Sequence, residues 1–334
     1  MPCAPRCPRV GISICDNTRR HPRRTVLPPV LEELVGHDVT LFVATGSHRA
    51  CTQGELSEML GDEILRAVSI VQHDARRADA HRQVTVISDS GAPAALDAAF
   101  PDRDLRLTLG LIEPHFFAGF SGGPKMVAPG LASLETILDL HSTVRAGHPM
   151  ATWGVAEGNP IHDAIGHVAA AAEVHLALDI TQNRRQQMTG LSAGPPSVGH
   201  PQGYAAVGRT AMCLVDAPCD VVVTTNGGYP LDQNLCQTVK GMRAAAQVAK
   251  PRAPSWSPPS APTGSPSTAA IGSCWRPIPA RGSSWRPCPA SRWARTGGRC
   301  RCRRRSRAKG GCCSTPRASA RPRYGPAGWS RPRT

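Results

Sequence analysis

"VTLFVATGSHRA", residues 39–50, decides how the chain is read. It starts as a near-continuous apolar run with β-branched and aromatic residues. It then breaks at Gly46 into a polar loop that holds Ser47, His48 and Arg49. An unbroken apolar run of this length fits a strand buried on both faces, the usual condition in a parallel sheet. The pattern of apolar run followed by polar loop recurs. "VGISIC" (10–15) leads into "CDNTRRHP" (15–22), "LRLTLG" (105–110) into "GLIEPHFFAGFSGGPK" (110–125), and "CDVVVTTN" (219–226) into "TTNGGYPLDQN" (224–234). Further strands are predicted at "AVSIVQH" (67–73), "QVTVIS" (83–88) and "VHLALDI" (174–180).

Helical patterns lie between these runs. "TQGELSEML" (52–60) opens with Thr52 and has Glu55 three residues on, the spacing of a capping box. "LASLETILDLHS" (131–142) puts Leu131, Leu134, Leu138 and His141 on one face. "HDAIGHVAAAAEV" (162–174) and "LCQTVKGMRAAAQVAK" (235–250) complete the set. Strands alternating with helices predict an α/β fold: a mainly parallel sheet with helices on both faces, Rossmann-like, over residues 1–250. In such a sheet ligands bind beyond the carboxyl ends of the strands. The four loops just quoted all sit there, so one composite site is expected from distant segments.

After Lys250 the chain changes character. Residues 251–334 hold 17 Arg, Lys309 and no Asp or Glu, whereas residues 1–250 hold 21 basic against 24 acidic side chains. The formal net charge of +15 therefore belongs to the tail, and the body is slightly acidic. The tail contains no Leu, Val, Phe or Met. So little aliphatic surface cannot offset an ordering cost of roughly 1–2 kcal/mol per residue, and no recognisable fold is expected there. Three readings apply to it. "RCRRRSR" (301–307) would serve a nucleic-acid arm. Cys300, Cys302, Cys312 and Cys313 would offer thiolates to zinc, in a spacing that fits zinc sites poorly. The favoured reading is a frameshift near codon 250 in a GC-rich gene, with nucleic acid the weaker alternative. No run of 18 apolar residues predicts a membrane span, the N-terminus has no signal-peptide core, and the scattered cysteines suit a reducing cytoplasm.

Several loop residues carry reactive chemistry. "GLIEPHFFAGFSGGPKMVAPG" (110–130) is not a P-loop, because Pro124 precedes Lys125 and Met126 follows it. Gly119, Gly122 and Gly123 with Ser121 would let backbone N–H groups approach an anion, or would form only a turn. Lys125 reads as a phosphate contact, a nucleophile or a solvated lysine. His48 and His115, each in a loop after a strand, are acid/base candidates or merely structural. His141 on an apolar helix face is a core histidine or a metal ligand. Asp16 and Arg19 would bind a carboxylate, with Asp16 orienting Arg19, or form a surface salt bridge. Gln237 and Lys240 share a helix face.

Taken together, "DNTR" (16–19), "ATGSHR" (44–49), "PHFFAGFSGGPK" (114–125), "PGLASLETILDLHS" (129–142), "GNPIH" (158–162) and "TNGGYPLDQNLCQTVKGM" (225–242) resemble the nickel-dependent lactate racemase family across roughly residues 10–250. The resemblance implies a racemase or epimerase of a small 2-hydroxy carboxylate such as lactate. It implies a covalently attached nickel-pincer nucleotide, pyridinium-3,5-bisthiocarboxylic acid mononucleotide nickel, made by separate cofactor-synthesis proteins. By position, Lys125 is the tether and His141 the nickel ligand. His48 and His115 are the acid/base pair on opposite sides of the substrate. Asp16, Ser121, Gly122 and Gly123 stand around the cofactor, and Arg19, Gln237 and Lys240 around the substrate. Hydride removal from Cα explains this set, because the α-hydrogen is too weakly acidic for direct abstraction. Pro124 and Cys236 depart from the family's usual residues. The tail stands where the family's C-terminal domain is expected. The implied alternatives are an inactive truncated product or a relative that binds the cofactor without turnover.

Overall fold

The computed structural model describes residues 7–87, 89–225 and 235–250, without the side chains of residues 235–238. The expectations for the tail lie outside the described residues. The chain runs through β1 (Arg9–Cys15), α1 (Arg23–Glu33), β2 (Asp38–Ala44), α2 (Gln53–Leu60), α3 (Asp62–Ala67), β3 (Ser69–Gln72), β4 (His81–Val86), β5 (Pro93–Asp97) and β6 (Leu105–Leu111). It continues through β7 (Pro114–His115), β8 (Gly119–Phe120), α4 (Leu134–Leu140), α5 (Thr143–Ala146), α6 (Pro160–Ala171), β9 (Leu176–Gln182), β10 (Met188–Gly194), α7 (Pro196–Ala211) and α8 (Leu235–Val248).

Six strands form one sheet in the order β10-β9-β6-β1-β2-β3. All its pairings are parallel except that of β9 with β10. The alternation along β2 shows why the sheet needs two covers. Leu41 and Val43 join Ile12, Ile14, Leu107 and Leu109 in a core under α1 and α2. Phe42 points the other way, into a core with Leu131, Ile137, Ile165 and Val168 under α4 and α6. The mainly parallel sheet flanked by helices is the expected fold. On the second face β1 carries, after Arg9, the small residues Gly11, Ser13 and Cys15. They let a chain segment lie directly against the central strand, and Ser13 Oγ donates to the Met126 carbonyl at 2.6 Å.

The structure corrects four local readings. Residues 83–88 fall largely in β4, outside the main sheet, where β4 pairs antiparallel with β5. Its Arg82 and Gln83 face solvent, so it serves as a one-sided cover rather than a central strand. The helix expected at 131–142 begins only after Ser133, whose hydroxyl caps the Thr136 amide. Leu131 is buried ahead of that helix, Leu138 is exposed, and Ile137 and Leu140 form the buried face. The strand expected at 219–226 is absent over its described residues. Cys219 makes one isolated bridge to Ala249, while Val221 and Val223 lie exposed. Helix α1 was not anticipated because Pro28 and Pro29 stand inside it; burial of Val26 and Leu27 against the sheet overrides that cost. Among the described residues no helix is long and apolar enough to cross a membrane.

Candidate active site

Register places the loops at one level. Cys15 at the end of β1 pairs with Ala44 at the end of β2, and Ile14 pairs with Leu109 on β6. The chain leaves all three strands at the same edge of the sheet, and the neighbouring loops meet there.

Asp16 is buried. Its Oδ1 accepts from the Thr18 hydroxyl at 2.6 Å and the Thr18 amide at 3.2 Å, and its Oδ2 lies 2.7 Å from His48 Nδ1. Burial pushes the Asp16 carboxyl up, but the His48 hydrogen bond and charge, the Thr18 hydroxyl and Arg19 outweigh it, and the net shift is downward. An ionised Asp16 accepts the Nδ1 proton of His48, which leaves the lone pair of a neutral ring on Nε2. Arg19 is held by Thr18, through bonds of 3.0 Å to the hydroxyl and 3.3 Å to the carbonyl. The carboxylate thus orients His48, and Thr18 orients Arg19; the expected pairing of Asp16 with Arg19 gives way to this. Buried Arg23, absent from the sequence reading, ties the loop down by donating to the carbonyls of Cys15 and Asp16.

The glycine-rich loop is shaped from behind by a buried pair. Asp179 on β9 accepts from the Gly123 amide at 2.8 Å and lies 3.0 Å from His200 Nδ1 on α7. Both residues are buried. A Cβ at Gly110 would sit 2.1 Å from Asp179 Oδ1, and Gly122 and Gly123 have φ of +80° and +46°. Ser121 accepts from the Glu113 amide at 2.9 Å and donates to the Leu111 carbonyl at 2.7 Å. The amides of Ser121, Gly123 and Lys125 all have partners inside the protein. Ser121 and Gly123 therefore build the loop. Asp179 and His200 were missed because no local motif marks them.

A single turn then presents Lys125. Its Nζ lies 3.3 Å from His115 Nε2. Burial, then the charges of Lys240 and Arg19, lower the Lys125 pKa to about 7. His115 is pushed well below the usual histidine range by burial, then by Lys125, Lys240, Arg19 and His141. His141, at the end of α4, donates Nδ1–H to the Ile137 carbonyl at 2.8 Å, leaving the Nε2 lone pair for a ligand. His141 is exposed as a residue, yet desolvation of its ring lowers its pKa, against the Ile137 bond and with the charge of Lys125. A cleft of about 580 Å³ opens here, lined among others by Arg19, His115, Ser121, Trp153 and Lys240. Trp153 was not singled out by the sequence, and its buried Nε1 has no hydrogen-bond partner. The side chain of Gln237 lies outside the described residues. Among the described residues no cluster of three or more His, Cys, Asp or Glu could hold a metal, so His141 would need other donors from a bound group.

The carboxyl edge of this α/β sheet thus carries a lysine, histidines and an arginine, at the place where folds of this class bind small ligands. The lactate racemase N-terminal domain profile matches residues 4–154, and the lactate racemase C-terminal domain profile matches residues 214–253. The lactate racemase of Thermoanaerobacterium thermosaccharolyticum is 36% identical over 245 residues, covering 72% of this chain and 57% of the relative. That of Lactiplantibacillus plantarum is 35% identical over 239 residues, covering 70% and 56%. The solved lactate racemase apoprotein from Thermoanaerobacterium thermosaccharolyticum superposes with a TM-score of 0.69 at 35% identity, over 73% of this chain and 59% of that one. A Thermotoga maritima protein shares the fold alone, with a TM-score of 0.55 at 20% identity, over 64% of this chain and 57% of that one. This chain belongs to the lactate racemase family, and it spans slightly more than half the length of the curated relatives it matches.

Proposed function

We propose that this chain carries the cofactor-binding machinery of a racemase or epimerase acting on lactate or another 2-hydroxy carboxylate. The observation that carries the reading is the half-buried Lys125 amine, 3.3 Å from His115 and lowered toward neutrality by desolvation and by the charges of Lys240 and Arg19. Such an amine attacks carbon electrophiles near neutral pH, as a covalent tether requires. The donor set fits the family's nickel-pincer nucleotide. His141 offers one imidazole lone pair, and the cofactor brings its own sulfur donors. When bound, that group supplies acceptance and return of hydride at Cα.

The remaining work falls to the chain. Arg19 and Lys240 would hold the substrate carboxylate while the planar keto acid turns. His48, with Nδ1–H directed at Asp16, would take the hydroxyl proton through Nε2. His115 stands in the other loop and serves the opposite enantiomer in this reading. Gln237 completes the substrate contacts, with Asp16 and the loop from Ser121 to Gly123 set around the cofactor. The protein acts in the cytoplasm and receives its cofactor from synthesis proteins.

The test is co-expression of the full chain with a cofactor-synthesis system, followed by intact mass, nickel content and chiral analysis of lactate. The expected result is a covalent adduct with nickel, both lost in Lys125→Ala. An unmodified mass without nickel would overturn the reading. An adduct without racemisation would assign the chain to cofactor binding alone.

A further inference from the structure

The hydrogen bonds around His115 fix where its proton sits. Nδ1 lies 3.2 Å from the Phe117 amide and 3.1 Å from the Ala118 amide, and it accepts from both. A nitrogen that accepts two N–H bonds carries no proton, so the neutral ring is protonated on Nε2. Turning the ring over would put carbon against two amide donors and leave them unsatisfied. An imidazolium would add an Nδ1 proton facing two N–H groups. Nε2–H therefore points at Lys125 Nζ, 3.3 Å away. An ammonium there would set proton against proton, whereas the lone pair of a free amine accepts the bond. The other groups facing this pair are Lys240 from α8, Arg19 from the loop after β1, His141 from the end of α4 and His162 from α6. Glu113 and Arg184 line the same cleft.

We infer that, before any cofactor is attached, His115 is a neutral hydrogen-bond donor through Nε2 that holds Lys125 as a free amine, whose lone pair leaves that bond to attack an acyl- or thioacyl-type carbon electrophile. The inference deepens the proposed function, since it rests on Lys125 as the attachment point. His115 is here a positioning residue for Lys125. In this tautomer it cannot take a proton from the lysine. To act later as a base it must turn its ring away from the two amides.

The full chain without cofactor supplies the test. Methyl isothiocyanate adds to an amine with no leaving group: Nζ bonds to the central carbon, and the reagent nitrogen takes a proton from Nζ. Labelling is followed by peptide mass spectrometry from pH 5.5 to 10.5, with exposed Lys250 as internal control. Lys125 should label with a midpoint near pH 7 and react at pH 7 at least about tenfold faster than Lys250. His115→Phe should slow Lys125 at pH 7 about threefold, as loss of one hydrogen bond lowers the free-amine fraction, and His115→Gln should restore part of the rate. In the wild-type protein, ¹⁵N spectra should show His115 Nδ1 unprotonated and Nε2 protonated from pH 5 to 8, without titration. A protonated Nδ1, a titration in that range, or a Lys125 that labels no earlier than Lys250 or not at all overturns the inference. A fast Lys125 that never takes the cofactor would sink the tether reading instead, and a slow Lys125 that carries it would sink only this one.

Discussion

His48 and His115 stand in loops after two strands of one sheet, and their surroundings dictate opposite proton inventories. His48 presents Nδ1 to a buried carboxylate at 2.7 Å, so its outer nitrogen is a proton acceptor. His115 presents Nδ1 to two backbone amides, so its outer nitrogen is a donor. Two N–H groups facing Nδ1 also oppose a charged His115 ring. Two histidines of a site can share a residue type and differ in role because of one partner on the far side of each ring. The two loops also rest on different supports, Asp16 with Arg23 for one and Asp179 with His200 for the other.

The largest expected effect comes from erasing the His48 side of this contrast. In Asp16→Asn the amide can offer N–H to His48 Nδ1, which moves the ring proton to Nε2 and removes the accepting lone pair. Under the proposed function, racemisation by the cofactor-loaded protein should fall about 10²–10⁴-fold, the usual span for losing a positioned base, with the proposed Lys125 adduct intact by mass. Stability should respond with a defined sign. The Asp16 carboxyl is lowered in the fold, so its contribution is complete at neutral pH and is lost as pH falls from about 4 through the folded value. Urea unfolding of wild type and Asp16→Asn should therefore converge in strong acid. An unchanged rate would show that the carboxylate does not set the His48 tautomer.

Breaking the other support should act on the other loop. Asp179→Ala leaves His200 and the Gly123 amide buried without their partner. Removing one member of a buried pair costs about 3–5 kcal/mol, measurable by urea denaturation. Labelling of Lys125 should lose its near-neutral midpoint, while His48, read by ¹⁵N spectra, keeps its Nδ1–H. If both histidines change together, the two loops are not independently anchored.

Sequence periodicity carried the core strands, because runs such as "VTLFVATG" are buried on both faces, as β2 shows. It failed for "CDVVVTTN", which has the same β-branched character but makes only one bridge, from Cys219 to Ala249, over its described residues. Strand formation needs a neighbour, which composition does not supply. The capping box at Thr52 was legible because all its partners lie within four residues. The candidate residues were picked out through the motifs that carried the family resemblance, and the structure places Asp16 beside His48 and His115 beside Lys125. The hydrogen-bond roles were not legible. The Asp16–His48 contact spans 32 residues and the Asp179–Gly123 contact 56. Neither leaves a local spacing in the chain. Leu138 is exposed because α4 packs through the face that carries Thr136, Ile137 and Leu140, a choice among apolar positions that the sequence pattern does not make.

The smallest of the three effects isolates the lysine that separates the two histidine environments. Lys125 is held near pH 7 in the fold against about 10.5 in the unfolded chain. Below pH 7 it is protonated in both states, and the fold bears the whole desolvation and repulsion cost. Above about pH 10.5 it is neutral in both states, and the cost is gone. The unfolded chain binds more protons across that window, so the lysine's share of stability improves as pH rises through it. Lys125→Met removes the charge at similar length. It should stabilise the protein at pH 6 by about 3 kcal/mol, after discounting the full shift for partial exposure of the side chain. The gain should shrink steadily above pH 7 and vanish near pH 10.5, where loss of the His115 hydrogen bond leaves the variant level with or slightly below wild type. A pH-independent difference would mean that Lys125 titrates like an exposed lysine, and that His115 Nε2–H faces no free amine.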